Sequence, residues 1–153
     1  IRRLSSEILE NPEILVADDF EMNFSNIPFR RHKTLQEVKS HIVKNILTPI
    51  RETDSSLKGQ DCVILIESTF LRGEYKGKED LRELLIIKDV EELSEANVGD
   101  TANKLRYSSI LKFKGLEKKN VFLVISKPSE LNKYEIFVGI TRTILNVEIN
   151  IVE

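Results

Sequence analysis

The stretch DCVILIE, residues 61–67, sets five apolar residues in a row between two acidic side chains. An apolar run of this length without polar alternation is typical of a strand that is buried on both faces, as strands in the middle of parallel sheets are. The run VFLVI, residues 121–125, has the same character, and residues 147–152 alternate in the manner of a third strand. Residues 105–111 also have strand character. These segments predict a sheet whose central strands are covered on both sides.

Helical patterns alternate with these strands. Thr34 is followed three residues later by Glu37, which is the pattern of a capping box at a helix start. The apolar side chains behind it recur at three- and four-residue spacing and predict a helix over residues 34–51. Further helices are predicted over residues 78–85 and 134–143. Strands that alternate with helices predict an α/β fold of three layers with a mostly parallel sheet.

Length and composition fit one soluble domain of 153 residues. The chain has 23 basic and 25 acidic side chains, so its net charge of -2 argues against a strongly basic nucleic-acid module but leaves a local basic stripe open. The single cysteine, Cys62, excludes an intrachain disulfide and a cysteine-based zinc site, and we expect it to be a small buried side chain. No apolar run approaches the roughly 20 residues of a membrane span. We expect a monomeric, cytoplasmic protein without membrane contact, and a chain that starts at Ile1 is expected to be a fragment.

Several polar features are expected to have structural roles only. The segment GEYKGK, residues 73–78, is one residue too short for a phosphate-binding loop, and Glu79 stands where a hydroxyl would bind magnesium. His32 is expected in a surface basic cluster and His41 on the polar side of its helix. Four acidic residues near residue 95 suggest either a cation site or a solvated loop, which we favour: Glu91, Glu92, Glu95 and Asp100. We expect no metal site in this chain.

Two further motifs carry a family resemblance. The segment SILKFKGLE, residues 109–117, precedes the buried run 121–125, and FVGITRT, residues 137–143, follows about twenty residues later. The pair resembles motifs V and VI of superfamily 1 helicases of the UvrD/Rep-like branch, written T-x-H-x-[FA]-K-G-L-E and Y-V-[AG]-[IL]-T-R-A. Residues 3–9, RLSSEIL, are similar to the arginine-bearing motif IV. The resemblance spans residues 1–153 as one domain and implies a second RecA-like domain that lacks its own phosphate-binding loop, the first RecA-like domain with the Walker motifs being absent.

The resemblance assigns a nucleotide role to five residues. Arg142 would reach across a cleft to the γ-phosphate of ATP held with Mg²⁺ by the first domain, and Arg3 would be a second phosphate-directed arginine. Gly115, Glu117 and Thr141 would contact the nucleotide. A surface ion pair is the structural alternative for Arg142.

The resemblance also implies contacts to single-stranded DNA. Ser109 keeps the hydroxyl of the family's threonine and would bind a phosphate, with Lys112 and Lys114 beside it. Leu111 replaces the family's histidine, and Thr143 replaces the usual alanine. A merely solvated surface is the alternative for the lysines.

Elementary physics adds an expectation for motif V. We expect the chain to turn there from a strand end into a helix N-terminus, where free N–H groups favour anions. In the alternative, Gly115 only makes the turn and Glu117 sits in the first helical turn. Glycine at residue 115 would let the backbone pass close to a nucleotide or a neighbouring domain.

The sequence thus predicts the C-terminal motor domain of an ATP-dependent DNA helicase or translocase. The isolated domain is expected to be inactive, because the Walker lysine and the magnesium-binding hydroxyl lie elsewhere. A degenerate domain that serves as a protein-interaction platform is one alternative, which the departures at Leu111 and Thr143 motivate. A standalone nucleotide-binding protein is another, and the missing phosphate-binding loop argues against it.

Overall fold

A six-stranded sheet organises the protein in a computed structural model that describes residues 29–52, 54–72, 90–113 and 115–153. All neighbouring strands of this sheet are parallel, in the order β1-β6-β5-β2-β4-β3. The strands are β1 (Phe29–His32), β2 (Cys62–Ile66), β3 (Val90–Glu92), β4 (Leu105–Ser109), β5 (Lys118–Ser126) and β6 (Thr143–Val152). The predicted parallel sheet is therefore confirmed, and the apolar runs form its central strands β2 and β5.

One long helical segment connects β1 to β2. It consists of α1 (Leu35–Ile42), a π-helical stretch (Val43–Leu47) and α2 (Thr48–Arg51), which together match the predicted helix. The Thr34 hydroxyl accepts a hydrogen bond from the Glu37 N–H at 3.2 Å, as the capping pattern predicts. Pro49 has no N–H for the carbonyl four residues back, so the wider π turn falls where a regular helical bond cannot form.

Shorter helices complete the described elements. A 3₁₀ turn (Gly59–Asp61) leads into β2, α3 (Ser68–Leu71) follows it, and α4 (Lys133–Thr141) connects β5 to β6. Predicted helix 78–85 and the motif IV segment lie outside the described residues. Within the described ranges, no helix has the length and apolar character needed to cross a bilayer.

The core has two halves, one on each face of the sheet. Alternate side chains of β2 point to opposite faces, because successive residues of a strand do so. Val63 and Leu65 pack in the half beneath α4, whereas Ile64 and Ile66 pack in the half beneath α1. Burial of this double-sided kind contributes about 1.5–3 kcal/mol for each large aliphatic side chain. The three-layer α/β architecture is confirmed.

The segment between β4 and β5 runs without a helix through its described residues. Both strands pair with β2 in parallel, so residues 110–117 must return from the carboxyl edge of the sheet to its amino edge. Residues 110–113 and 115 form turns, and β5 begins at Lys118. The prediction that motif V enters a helix N-terminus is wrong, and so is the alternative that places Glu117 in a first helical turn. The pairing of Lys118 with Thr143 requires the strand to begin at once.

Both histidines are buried rather than exposed. His32 Nε2 lies 2.9 Å from Asn150 Oδ1, and His41 Nε2 lies 2.5 Å from Glu148 Oε1. The Asn45 amide nitrogen contacts His41 Nδ1 at 2.9 Å. The predicted surface placement of the two histidines is wrong because β1 pairs with β6 and α1 packs over it, which turns both rings toward polar partners on β6.

Candidate functional site

Arg142 closes the helix of motif VI at the amino edge of the sheet. Its N–H donates to the Gly139 carbonyl at 3.2 Å, and its own carbonyl accepts from the Lys118 N–H at 3.1 Å. The side-chain Nε is buried and has no hydrogen-bond partner, and the same is true of the neighbouring Thr143 Oγ1. Buried polar atoms without partners are rare and costly, about 1–3 kcal/mol each. Among the described residues no carboxylate forms an ion pair with Arg142, so the structure does not show the surface ion pair considered as its alternative.

The end of motif V lies at the same edge. Lys118 is the register partner of Thr143, so Glu117 and Arg142, which directly precede these two strand starts, lie at the same edge of the sheet. Glu117 is exposed. Gly115 has φ +90°, a conformation that favours glycine, and a Cβ at this position would meet no atom within 4 Å. The open space beside Gly115 leaves its backbone accessible to a ligand or a second domain.

Thr141 belongs to this edge by position, but its hydroxyl has a local partner. The Oγ1 donates to the Val138 carbonyl at 2.6 Å, one turn back in α4. The hydroxyl proton is therefore already used, and only the oxygen lone pairs remain for another group.

The residues assigned to nucleic acid lie at the opposite edge. Ser109 ends β4 and is the register partner of Ile66 at the end of β2. Its hydroxyl accepts from the Lys112 N–H at 3.2 Å and so shapes the turn that follows the strand. The Lys112 ammonium lies 3.8 Å from Glu92 Oε1 with both side chains exposed, a weak pairing that leaves the lysine free to exchange partners. Lys114 and Arg3 lie outside the described residues.

The predicted site residues therefore fall into two groups. Glu117, Thr141 and Arg142 lie at the amino edge, Ser109 and Lys112 lie at the carboxyl edge, and Gly115 lies in the segment 110–117 that runs between the two. A pocket of about 390 Å³ opens beside this segment. Its lining is mostly apolar and includes Leu93, Val98, Leu116, Ser108 and Lys112.

The carboxyl edge also contains a buried carboxylate that the sequence reasoning missed. Glu67 is only 2% exposed and directly follows β2. Its oxygens accept hydrogen bonds from the Ser126 N–H and hydroxyl, the Asn132 amide and the Thr69 hydroxyl, at 2.8–3.1 Å. The acidic residue that follows the apolar run marked the strand end, but no local signal identified its partners.

Two of the acidic residues near residue 95 pair with a buried arginine. Arg106 is buried on β4, and its guanidinium binds both Asp100 oxygens at 2.8 and 2.9 Å and Glu91 Oε1 at 2.6 Å. The hydrogen bonds from Arg106 hold the pKa of Asp100 below its usual range. The side chains of Glu91 and Asp100 are 40% and 42% exposed, as the solvated-loop prediction expects, but they also pair with a buried cation, which that prediction did not include. Arg106 and Tyr107 point to opposite faces of β4 and are both buried, so the arginine of this doubly covered strand needs acidic partners.

The described residues provide neither a cluster of metal-binding side chains nor an accessible thiol. The described part of the chain contains no group of three or more His, Cys, Asp or Glu side chains arranged to hold a metal ion. Cys62 is buried as predicted, and its burial raises the pKa of the thiol to about 12. A thiol with that pKa is almost entirely protonated at neutral pH, so it is a poor nucleophile.

Comparison with known proteins supports the fold. The chain matches no protein-family profile and no curated protein. Among solved structures it is similar to the C-terminal domain of a possible DNA helicase from Lactobacillus plantarum WCFS1, with a TM-score of 0.56 and 13% sequence identity. The match covers 82% of this chain and 73% of the other. The chain therefore has a three-layer α/β fold with a parallel, RecA-like sheet, like that helicase C-terminal domain.

Proposed function

We propose that this chain is the second RecA-like domain of an ATP-dependent, UvrD-like DNA helicase or translocase of superfamily 1. The observation that carries the proposal is that Glu117 and Arg142 directly precede the paired strand starts Lys118 and Thr143, and that the Arg142 Nε is buried without a partner among the described residues. A nucleotide or a docked domain would supply the partner that the described residues do not provide. The similar fold of a possible helicase's C-terminal domain supports the same proposal.

Arg142 would act as an arginine finger. A guanidinium keeps its positive charge at any relevant pH and presents a planar fork of donors that suits phosphate oxygens. Its backbone is fixed from two sides, by Gly139 within α4 and by Lys118 on β5, so the side chain starts from a defined point. In phosphoryl transfer such a residue stabilises charge in the transition state and raises turnover by about 10³–10⁵-fold.

The fit of ATP and Mg²⁺ to this surface is partial. Arg142 and Glu117 suit a phosphate and a ribose hydroxyl respectively, whereas the described residues provide no carboxylate cluster for a metal ion. In this proposal Mg²⁺ and the phosphate-binding loop belong to the first RecA-like domain of the same protein. Hydrolysis of ATP between the two domains would drive their opening and closing.

Exposed apolar side chains support docking of a second domain at the amino edge. Ile144 and Leu145 directly follow Thr143 and are 54% and 61% exposed. Large apolar side chains that flank a partly buried arginine are typical of a surface that another domain covers. Single-stranded DNA would contact the other edge through Ser109 and nearby lysines.

A degenerate interaction domain is the second candidate. Leu111 stands where the resembling family has a histidine, and it is exposed, which favours a protein contact over a nucleic-acid contact at that point. This candidate predicts a folded parent protein without ATP turnover.

The test is ATP turnover by the full-length protein with and without single-stranded DNA. Arg142→Ala should lower kcat by several hundredfold or more while ATP binding is largely kept, and Arg142→Lys should restore little because an ammonium lacks the fork. Arg30→Ala is a matched control, since Arg30 is exposed on β1. Its register partner on β6 is Asn150, eight residues after Arg142. An active protein that tolerates Arg142→Ala would refute the finger assignment, and an inactive wild type would favour the interaction domain.

A further inference from the structure

The helix that carries Arg142 is attached at its other end to a buried carboxylate. Glu67 Oε1 accepts from the Asn132 amide at 2.8 Å and from the Ser126 N–H at 3.1 Å, and Glu67 Oε2 accepts from the Thr69 hydroxyl at 2.8 Å. A buried carboxylate with this many donors is a strong anchor, because hydrogen bonds to a charged group contribute more than neutral ones. Glu67 also fixes its own backbone, since its N–H donates to the Val124 carbonyl at 2.9 Å.

Asn132 directs its side chain to this carboxylate and not to its own helix. It occupies the N-cap of α4, where asparagine usually accepts from the first turn, yet it forms no side-chain cap there. Its amide nitrogen instead reaches Glu67 and lies 3.0 Å from Ser126 Oγ, and its oxygen accepts from the Ser129 N–H at 2.8 Å. The amide therefore joins the start of α4 to the ends of β2 and β5.

A second acidic residue reinforces the same joint. Glu135, in the first turn of α4, accepts from the N–H and the hydroxyl of Ser68, each at 3.2 Å. Ser68 directly follows Glu67 at the start of α3. The start of α4 is thus bound to the carboxyl edge of β2 at two points.

The rest of α4 packs closely against the sheet. Gly139 lies so close to β5 that a Cβ there would be 2.6 Å from Leu123 Cδ2, so the helix rests directly on the sheet. The nine-residue helix is about 13.5 Å long, and Arg142 follows its last residue. Its ends lie at opposite edges of the sheet, with Glu67 and Asn132 at one and Arg142 at the other.

We propose that Glu67 and Asn132 form a positioning pair that sets the placement of Arg142 through α4. The pair adjoins the edge assigned to single-stranded DNA, because Ile66 immediately precedes Glu67 and is the register partner of Ser109. The consequence for turnover rests on the proposed function, whereas the placement of Arg142 does not. A disturbance at the pair changes the local order at Arg142, and in an active enzyme it lowers kcat without raising the KM for ATP.

Hydrogen exchange on the full-length protein tests the placement directly. The amide of Arg142 donates to Gly139 and the amide of Lys118 donates to Arg142, so their exchange rates report the seating of the helix end. Asn132→Ala should speed exchange of both amides about tenfold, since it removes a hydrogen bond to a buried charge. Asn132→Asp should have a larger effect because two carboxylates would then face each other, and adding Glu67→Gln should reverse most of it.

Thr69→Val is the matched control. It removes another hydrogen bond to Glu67, but one that leads to α3 and not to α4. It should leave exchange at Arg142 and Lys118 within about twofold of the wild type while it lowers global stability by about as much as a lost hydrogen bond does.

Three results decide the proposal. Unchanged exchange at residues 118 and 142 in both Asn132 variants would overturn the positioning pair, whatever the ATPase activity. Changed exchange with an unchanged kcat in an active enzyme would overturn its role in turnover. A wild-type protein without ATP turnover would refute the proposed function alone, and the exchange data would still decide whether the pair positions Arg142.

Discussion

Substitution of Gly59 tests the packing between the 3₁₀ turn that leads into β2 and the residues that precede β4. A Cβ at this position would lie 2.5–2.6 Å from the backbone C, N and O atoms of Lys104. The Gly59 N–H also donates to Asn103 Oδ1 at 2.6 Å, so the two segments are held together at this point. Backbone atoms cannot move aside as a side-chain end can, and Gly59→Ala must therefore separate the segments or strain them.

The expected size of the effect follows from two opposing contributions. Overpacking of this kind costs about 1–3 kcal/mol. The lower chain entropy of unfolded alanine offsets about 0.4–1 kcal/mol of that cost. The free energy of unfolding should therefore fall by about 1–2 kcal/mol. With a urea dependence of about 2 kcal/mol/M, the unfolding midpoint should fall by about 0.5–1 M.

Gly99 provides the matched control in the same assay. A Cβ there would meet no atom within 4 Å, so Gly99→Ala should leave the midpoint unchanged or raise it slightly. Unfolding of both variants would be followed by circular dichroism against urea. Equal midpoints for Gly59→Ala and Gly99→Ala would refute the close approach of Gly59 to the Lys104 backbone.

Three further outcomes concern titratable groups. Burial raises the pKa of Cys62 to about 12, so thiol reagents should modify it slowly in the folded protein and rapidly in urea, and equal rates would contradict its burial. Arg106 lowers the pKa of Asp100 from 3.8, so the ionised carboxylate stabilises the fold above that value, and this stability is lost as pH falls through the lowered pKa. In Asp100→Asn the urea midpoint should therefore fall less steeply at acidic pH than in the wild type. Burial raises the pKa of Glu135 above 4.5, so the wild type should lose stability as pH rises from 4.5 through the raised value, and Glu135→Gln should remove that loss.

The elements that could be predicted from the sequence are those fixed by local pattern. Five consecutive apolar residues identified β2, because only a strand covered on both faces needs such a run. The Thr34 cap and the periodic apolar residues behind it identified α1 for a similarly local reason. The acidic, three-residue β3 had no such pattern, since an edge strand of that length buries little.

The parts that sequence reasoning missed depend on partners far along the chain. His41 meets Glu148 from 107 residues away, and His32 meets Asn150 from 118 residues away. Glu67 is bound by Asn132, 65 residues later. A polar side chain is buried only when such a partner is present, and no local spacing reports the partner. The helix predicted after motif V failed for the same reason, because the long-range pairing of β5 with β6 set where the strand starts.

In the candidate site, too, local sequence predicts the residue types but long-range pairing sets their positions. The residue types at motifs V and VI come from the sequence, through their resemblance to helicase motifs, but their meeting at one edge depends on the pairing of Lys118 with Thr143. Ser109 and Lys112 lie at the other edge, because residues 110–117 together run from the carboxyl edge of the sheet to its amino edge. The nine residues 109–117 therefore begin at one edge of the sheet and end at the other, and their order in the sequence does not show which of them belongs to which edge.

The charge at the carboxyl edge constrains how this domain would hold a DNA strand. Glu67 is buried there among neutral donors, and Lys112 is exposed and only weakly paired with Glu92, so Lys112 can contribute one phosphate contact. Each phosphate neutralised contributes about 0.9 or less to the slope of log affinity against log salt. One or two contacts to a single strand would therefore give a slope of about 0.7–1.4 and weak binding. Tight, salt-sensitive binding by the full protein would then have to come mostly from cations outside this surface.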